Sequence, residues 1–282
     1  MKLFILFFLL QMSSIAKAQE TPDPLGHDGG WSSEDEQADD DNGRGLELPE
    51  NWPKLAEWTS MAKEDQESLA LPRNFVWAST HPIRNQGRCG SCWAFATTSV
   101  VESLTHLTNQ NREDLSEQDV LSCSGSGSCR GGFFNAFNYI VAKGVTNEAS
   151  FPYAGADLAC PYPKPVAKLF SWSYIGTPGQ APSETELKAA ILKYGPVAAV
   201  VNGSFGNYRG GIFRNCTQAR VDHMVVIEGW NDDGGYWVVR NSWGTQWGAG
   251  GYLFIAYKDR FGNRCNRIGE IAAFAVLQAK KP

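Results

Sequence analysis

Cys92 stands in the run Gln86-Gly87-Arg88-Cys89-Gly90-Ser91-Cys92-Trp93-Ala94-Phe95. Gly90 and Ser91 break and cap the chain, and Trp93 onward propagates a helix, so the sequence puts Cys92 at a helix N-terminus. Unpaired amides and the helix dipole there favour the thiolate, the nucleophilic form of cysteine. The same amides can hold an oxyanion. A thiolate that attacks an amide also needs a group to take and return a proton. Beyond residue 71 the histidines are His81, His106 and His223. His81 falls in a loop before the helix and His106 late in it. His223 lies in Arg220-Val221-Asp222-His223-Met224-Val225-Val226, at the mouth of an apolar strand, where a rigid sheet can present an imidazole to a cleft. The imidazole in turn needs an orienting partner. Asn241-Ser242-Trp243-Gly244 follows the strand Gly235 to Arg240, and the Asn241 amide can hold the ring while Trp243 shields that bond from water. Taken singly, a strand-end asparagine is usually a turn former.

These residues need a scaffold that brings them together. Cys89 to His106 reads as a long helix. Ser116-Glu117-Gln118-Asp119 resembles a capping box, and Ser183-Glu184-Thr185-Glu186 opens another helix that Gly195 closes. Phe133, Phe134, Phe137, Ile140 and Val141 follow helical spacing up to Gly144. After Pro196 the pattern changes to short β-branched and aromatic runs: Val197 to Val201, Met224 to Ile227, Tyr236 to Val239 and Tyr252 to Tyr257, separated by Gly, Asn and Asp. Helices first and antiparallel strands second predict an α+β protein in two lobes.

Three segments differ in character. Residues 1–18 read as a signal peptide: Lys2, the apolar run Leu3 to Leu10, and Ala16-Lys17-Ala18 as the cleavage site. The apolar run is too short to span a bilayer, so no membrane association is expected once the signal is cleaved. Residues 19–71 form a short acidic prosegment with 15 Asp/Glu against three Lys/Arg, a net of −12. Its Asp23 to Gly45 stretch has little to bury and reads as disordered. From Asn51 a short helix is predicted, with Trp52, Leu55, Trp58 and Ala62 on one face. Residues 72–282 form the main domain, with 15 Asp/Glu against 20 Lys/Arg, a net of +5. The whole chain carries −5, which is no nucleic-acid footprint. Its seven cysteines are an odd number, so at least one stays unpaired within a monomer.

Together the Cys-Gly-Ser-Cys-Trp run, His223 and Asn241 resemble the papain family of cysteine proteases, whose histidine and asparagine follow the nucleophile by about 130–150 residues. Here they follow Cys92 by 131 and 149 residues. Leu115-Ser116-Glu117-Gln118, Cys129-Arg130-Gly131-Gly132, Tyr208-Arg209-Gly210-Gly211-Ile212-Phe213 and Trp247-Gly248-Ala249-Gly250-Gly251-Tyr252 add to the likeness, which runs from about Leu71 to the C-terminus. The resemblance implies a papain-like fold, with a helical left lobe, an antiparallel β-barrel-like right lobe and the active-site cleft between them. It implies a cysteine endopeptidase in which Gln86 donates to the oxyanion hole beside the Cys92 amide, with no cofactor and no metal. The disulfides it implies are Cys89–Cys129, Cys123–Cys160 and Cys216–Cys265, leaving Cys92 free. Gly131 and Gly132 would offer a backbone edge to an extended substrate. Phe133, Phe134, Val200, Val221 and Met224 would line the S2 pocket, the one for the second residue before the scissile bond, with Trp243 beside the site. Glu270 matches the position at the base of that pocket, where some members place a glutamate that accepts arginine. The preceding Asn266-Arg267-Ile268-Gly269 are unlike the usual pattern, so Glu270 reads equally as a solvated surface charge; the pocket is expected to take apolar side chains, and basic ones where Glu270 lines it. Neither the histidine-bearing loop of carboxydipeptidase members nor an insertion between Gln86 and Cys89 is visible, which implies an open-ended cleft.

The partners expected are protein or peptide substrates; the prosegment is shorter than the family's and lacks its helical pattern, and it reads either as an inhibitor attracted by charge and packed through Trp52 and Trp58 or as a solubilising tail. A monomer is expected, secreted or in a lysosome-like vesicular compartment, or in the periplasm of a bacterial host. Asn202-Gly203-Ser204 and Asn215-Cys216-Thr217 match the glycosylation pattern. Two rival readings are open: a thiol–disulfide oxidoreductase built on the C-x-x-C of Cys89 and Cys92, and a catalytically silent binding protein on the same fold.

Overall fold

The computed structural model describes residues 44–48, 58–59, 69–77, 81–109, 112–177 and 179–277, with only the backbone for Trp58 and Thr59. The expected signal peptide and most of the expected prosegment lie outside the described residues. Among the described residues the helices are α1 (Cys92–Asn109), α2 (Glu117–Cys123), α3 (Ala136–Ala142) and α4 (Glu184–Tyr194). The strands are β1 (Trp58–Thr59), β2 (Asn74–Val76), β3 (Gly127–Ser128), β4 (Gly131–Gly132), β5 (Leu169–Ile175), β6 (Val197–Val201), β7 (Ile212–Phe213), β8 (His223–Asn231), β9 (Tyr236–Arg240), β10 (Tyr252–Ala256) and β11 (Ala272–Leu277).

Local chemistry sets the helix ends. Ser116 caps α2 by accepting from the Asp119 amide. Ser183 and Glu186 close a reciprocal capping box on α4, and Gly195 ends it at φ 102. Phe133 and Phe134 follow helical spacing but precede α3, which starts only at Ala136. Trp58 corrects another expectation. It lies in a strand parallel to β5, opposite Tyr174, rather than on a helix running from Asn51; Trp52 and Leu55 lie outside the described residues.

Most strands join one sheet in the order β1-β5-β11-β6-β8-β9-β10-β7, with β2 paired to β8; β3 and β4 form a separate hairpin. Both faces of the central strands are buried, which explains their unbroken apolar runs. Ala198, Val200, Met224, Val226, Ala273 and Ala275 face the helical lobe and pack with α1 residues such as Val100 and Val101. Their neighbours Val197, Ala199, Val201, Val225, Ile227, Ala272 and Phe274 face a second core with α4 and the tryptophans Trp230, Trp237, Trp243 and Trp247. Each fully buried Val, Ile or Leu contributes roughly 1.5–3 kcal/mol relative to exposure, so the two cores lock the sheet between the lobes.

The His81–Gln86 loop is tied across to β8 and β9. Arg240 is buried against Glu228 at 2.8 Å and donates to the carbonyls of His81 at 2.7 Å and Pro82 at 3.2 Å. The Gln86 amide reaches the Ser242 carbonyl at 2.9 Å, and the Gly244 amide reaches the Arg84 carbonyl at 2.9 Å. Removing one member of a buried, hydrogen-bonded ion pair costs about 3–5 kcal/mol. Arg240 therefore fixes the loop that ends in Gln86 beside the strand end that carries Asn241.

Candidate active site

Cys92 is the first residue of α1 and fully buried. Its thiol is free, while Cys89 joins Cys129, Cys123 joins Cys160 and Cys216 joins Cys265. Cys89 and Cys92 are thus not a redox pair. Burial pushes the Cys92 thiol up to about 11, against the backbone amides of Met224, Gly45 and Trp93, which favour the thiolate. Met224 directly follows His223 on β8, so the strand that carries the imidazole also carries an amide on the sulfur.

His223 opens β8, opposite Val201 in the register with β6. Its Nε2 lies 2.8 Å from Asn241 Oδ1, and both residues are buried. The Asn241 oxygen also accepts from the Ser242 amide at 2.9 Å, which sets the amide's orientation. Nε2 must then carry a proton, leaving Nδ1 as the basic nitrogen of the neutral ring. Nδ1 has no hydrogen-bond partner among the described residues. Burial pulls the imidazole down to about 4, opposed by the Asn241 bond. Trp243 covers the pair with ring centroids 4.8 Å apart, and Trp247 stands edge-on to Trp243 at 5.0 Å. Phe205 closes the wall 5.4 Å from Trp243. These rings exclude water, which strengthens the His223–Asn241 bond.

Gln86 is buried next to this pair. Its Oε1 accepts from Ser242 Oγ at 2.5 Å and its Nε2 donates to the Cys89 carbonyl at 2.9 Å.

The cleft is occupied by residues 44–48. The Gly45 amide points at the Cys92 sulfur. The Gly45 carbonyl accepts from Gly132 at 3.0 Å, the Leu46 amide donates to Asp222 at 3.1 Å, and the Glu47 amide donates to Gly132 at 3.0 Å. Leu46 runs parallel to Gly132. Arg44 forms an ion pair with Asp222 at 3.1 Å, and Asp222 also accepts from the Gly203 amide at 2.7 Å. The charges at this contact thus run opposite to the overall balance, with basic Arg44 from the acidic residues 19–71 on acidic Asp222 from the basic residues 72–282.

The residues expected around S2 divide. Phe133, Phe134, Val200, Val221 and Met224 share one buried cluster with Cys92, against which Leu46 and Leu48 pack. A Cβ on Gly132 would sit 2.4 Å from Trp93 Cε2, so only glycine lets this backbone edge approach α1. Gly131 precedes it on β4. Trp243 belongs to the other core, over His223. The Glu270 carboxylate is held by Arg267 through two bonds of 2.5 and 2.6 Å. Asn202 is buried with its amide on the Arg220 carbonyl at 2.6 Å, which leaves no room for a glycan in the folded chain, whereas Asn215 is exposed.

Residues 71–275 match the family described as Papain family cysteine protease. Cathepsin J of Mus musculus is 36% identical over 244 residues, 80% of this chain and 71% of that one. The chain belongs to the papain family of cysteine proteases.

Cathepsin J of Rattus norvegicus is 36% identical over 226 residues, 73% of this papain-family chain, which spans 66% of that relative's length. Among solved structures, the digestive procathepsin L2 proteinase of Tenebrio molitor superposes with a TM-score of 0.74 at 32% identity, over 83% of this chain and 78% of that one. The Carica candamarcensis cysteine protease CMS1MS2, solved in complex with E-64, gives 0.66 at 30% identity, over 74% of this chain and all of that one. Arg44 and Gly45, which composition places at the end of a disordered stretch, are instead ordered by their contacts with Asp222 and Gly132, and neither Leu46 to Leu48 nor Tyr153 stands out as a site residue in the sequence. The alternation Leu46-Glu47-Leu48, emerging from an acidic run, was the one available signal for the former. Nothing in the spacing of Tyr153 announced it.

Proposed function

We propose that the chain is the latent form of a thiol endopeptidase with Cys92 as nucleophile, His223 as its acid–base partner, Asn241 as the group that orients the ring, and Gln86 with the Cys92 amide as oxyanion donors. The observation that carries this reading is the buried 2.8 Å bond between His223 Nε2 and Asn241 Oδ1, on the strand whose next amide contacts an unbridged sulfur at a helix N-terminus. With residues 44–48 in place, burial keeps thiol and imidazole neutral. When that segment leaves, water and substrate reach the sulfur, and its proton passes to His223 Nδ1. The thiolate then attacks the peptide carbonyl carbon. A C–S bond forms and the carbonyl electron pair moves to oxygen, held by the two donors. His223 returns its proton to the amide nitrogen as the C–N bond breaks and the amine leaves. Water, deprotonated by His223, attacks the thioester and releases the carboxylic acid and the thiolate.

Residues 19–71 are read as the inhibitory segment, on the contacts of residues 44–48 with Gly132, Asp222 and Cys92. The apolar cluster of Phe133, Phe134, Val200, Val221 and Met224 supports an S2 pocket for apolar side chains. The Arg267 clamp on Glu270 argues against ready acceptance of basic ones. Three disulfides suit a secreted or vesicular location. The test is turnover of a Phe-Arg dipeptidyl reporter by the processed chain. Cys92→Ala should abolish it, and an epoxysuccinyl inhibitor should label Cys92 alone. Equal turnover by Cys92→Ala would refute the reading.

A further inference from the structure

The Tyr153 hydroxyl joins the two segments that carry the oxyanion donors. It donates to the Gln86 carbonyl at 2.9 Å and lies 2.7 Å from Ser91 Oγ, which donates to it in turn. The Gln86 backbone is therefore held from both sides, its amide by Ser242 at 2.9 Å and its carbonyl by Tyr153. Ser91 anchors the first turn of α1, because its carbonyl accepts from Ala94 at 2.8 Å and Phe95 at 3.1 Å. Tyr153 is itself fixed. Its ring stands edge-on to Phe95 at 4.8 Å, and its amide donates to Glu148 at 2.8 Å. Burial keeps the phenol neutral, pushed up to about 12, so it is a donor at any working pH.

Two donors stabilise an oxyanion only if both converge on one oxygen at hydrogen-bonding distance. The covalent path between them contains Gly87, at φ +61, and Gly90, and glycine backbone holds a geometry poorly by itself. We infer that Tyr153 is a positioning residue of the oxyanion hole, setting the Gln86 side chain relative to the Cys92 amide by bridging the Gln86 backbone to Ser91. This rests on the proposed role of Gln86 and the Cys92 amide as oxyanion donors.

The test uses the full-length chain, activated by limited pepsin digestion, with Tyr153→Phe, which keeps the ring against Phe95. Three readouts are taken: kcat and KM on the Phe-Arg reporter, the affinity of a Phe-Arg peptide aldehyde whose hemithioacetal oxygen enters the hole, and the rate of Cys92 alkylation by iodoacetamide against pH. A loss of positioning by about 1 Å costs on the order of 100-fold in rate, so kcat should fall about 10- to 100-fold. Aldehyde affinity should weaken by a similar factor, while KM and the alkylation profile stay within about twofold of wild type. Ser91→Ala removes the other end of the bridge and should move kcat and aldehyde affinity in the same direction. It carries the test if Tyr153→Phe proves unstable. A kcat within twofold of wild type overturns the inference, as does a fall in alkylation that tracks kcat, which would put the tyrosine on the thiolate instead. Gln86→Ala in parallel separates the two levels. If it leaves aldehyde affinity unchanged, the oxyanion-hole reading itself fails. If it weakens aldehyde binding and Tyr153→Phe does not, only the role of Tyr153 fails.

Discussion

Gly45 and Gly90 meet backbone to backbone beside Cys92: a Cβ on Gly45 would lie 1.9 Å from the Gly90 carbonyl oxygen. No side chain fits there without moving residues 44–48 or the loop before Cys92. That loop is held by the Cys89–Cys129 disulfide and by the Gly90 amide on the Cys129 carbonyl at 2.7 Å, so residues 44–48 are the part that yields. Gly45→Ala should loosen the latent form. Forced overpacking costs about 1–3 kcal/mol, roughly a tenfold change in occupancy per 1.4 kcal/mol. Iodoacetamide labelling of Cys92 in the unprocessed chain should rise by about that factor. Unchanged labelling would show that residues 44–48 do not gate the sulfur.

Asn241→Ala removes the acceptor on His223 Nε2 but leaves Trp243 and Phe205 around the ring. The ring then loses its fixed orientation. Acid–base assistance is worth about 10²–10⁴-fold, and partial loss should lower kcat by about 10- to 100-fold with little change in KM. Steady-state kinetics of the processed variant check this. A pure KM effect would mean that Asn241 acts on substrate binding.

In the proposed S2 pocket, the Arg267 clamp on Glu270 would govern the acceptance of basic side chains. Each partner is about a third exposed, so the pair is worth no more than about 1 kcal/mol, and wild type should favour a Phe-Arg reporter over Arg-Arg. Arg267→Ala frees the carboxylate and should raise relative Arg-Arg turnover by about two- to fivefold. If neither Arg267→Ala nor Glu270→Ala moves the ratio of the two reporters, Glu270 is not part of the pocket.

Buried carboxyls give the stability an uncommon pH dependence. Burial raises Glu102 to about 7, helped by Asp114, and raises Glu117 well above the usual range, helped by Glu102 and Glu148. The folded chain therefore holds protons that the unfolded chain releases above about pH 4.5, and the Glu102 contribution is lost as pH rises from 4.5 to 7. His81 and His223, both pulled down to about 4 by burial, act in the opposite sense, because their contribution is lost as pH falls from 6.5 towards 4. The two effects overlap and partly cancel in wild type. Glu102→Gln removes one side of the balance. Its stability relative to wild type should improve by about 1 kcal/mol per pH unit between 4.5 and 7. Denaturant unfolding across that range measures it, and a pH-independent difference would refute the assignment.

The chemistry of the site was more legible than its packing. Cys92, His223 and Asn241, the proposed catalytic set, stand out in the sequence because each is scarce or marked by its flanks: a helix start, a strand mouth and a strand end. The unbroken runs Val197–Val201 and Tyr236–Arg240 showed as strands because both faces of the sheet are buried. β5 did not, since Ser171 and Ser173 break its apolar run, and half of β11 is alanine. Phe133 and Phe134 carried helical spacing, yet the Gly131–Gly132 edge extends the backbone just before them and delays α3. Residues 44–48 were hidden for a different reason. Their order comes from backbone contacts with Gly132 and Asp222, far away in sequence, and not from any preference of their own.

The most direct measurement is the pH profile of Cys92 alkylation by iodoacetamide in the full-length chain before and after its prosegment is removed. Before removal, alkylation should be very slow until pH approaches about 11. Afterwards, a thiolate reactive well below the ordinary cysteine pKa of about 8.5 should appear in wild type and disappear in His223→Ala. A processed chain whose thiol titrates like an ordinary cysteine, or whose profile is the same without His223, would contradict the account.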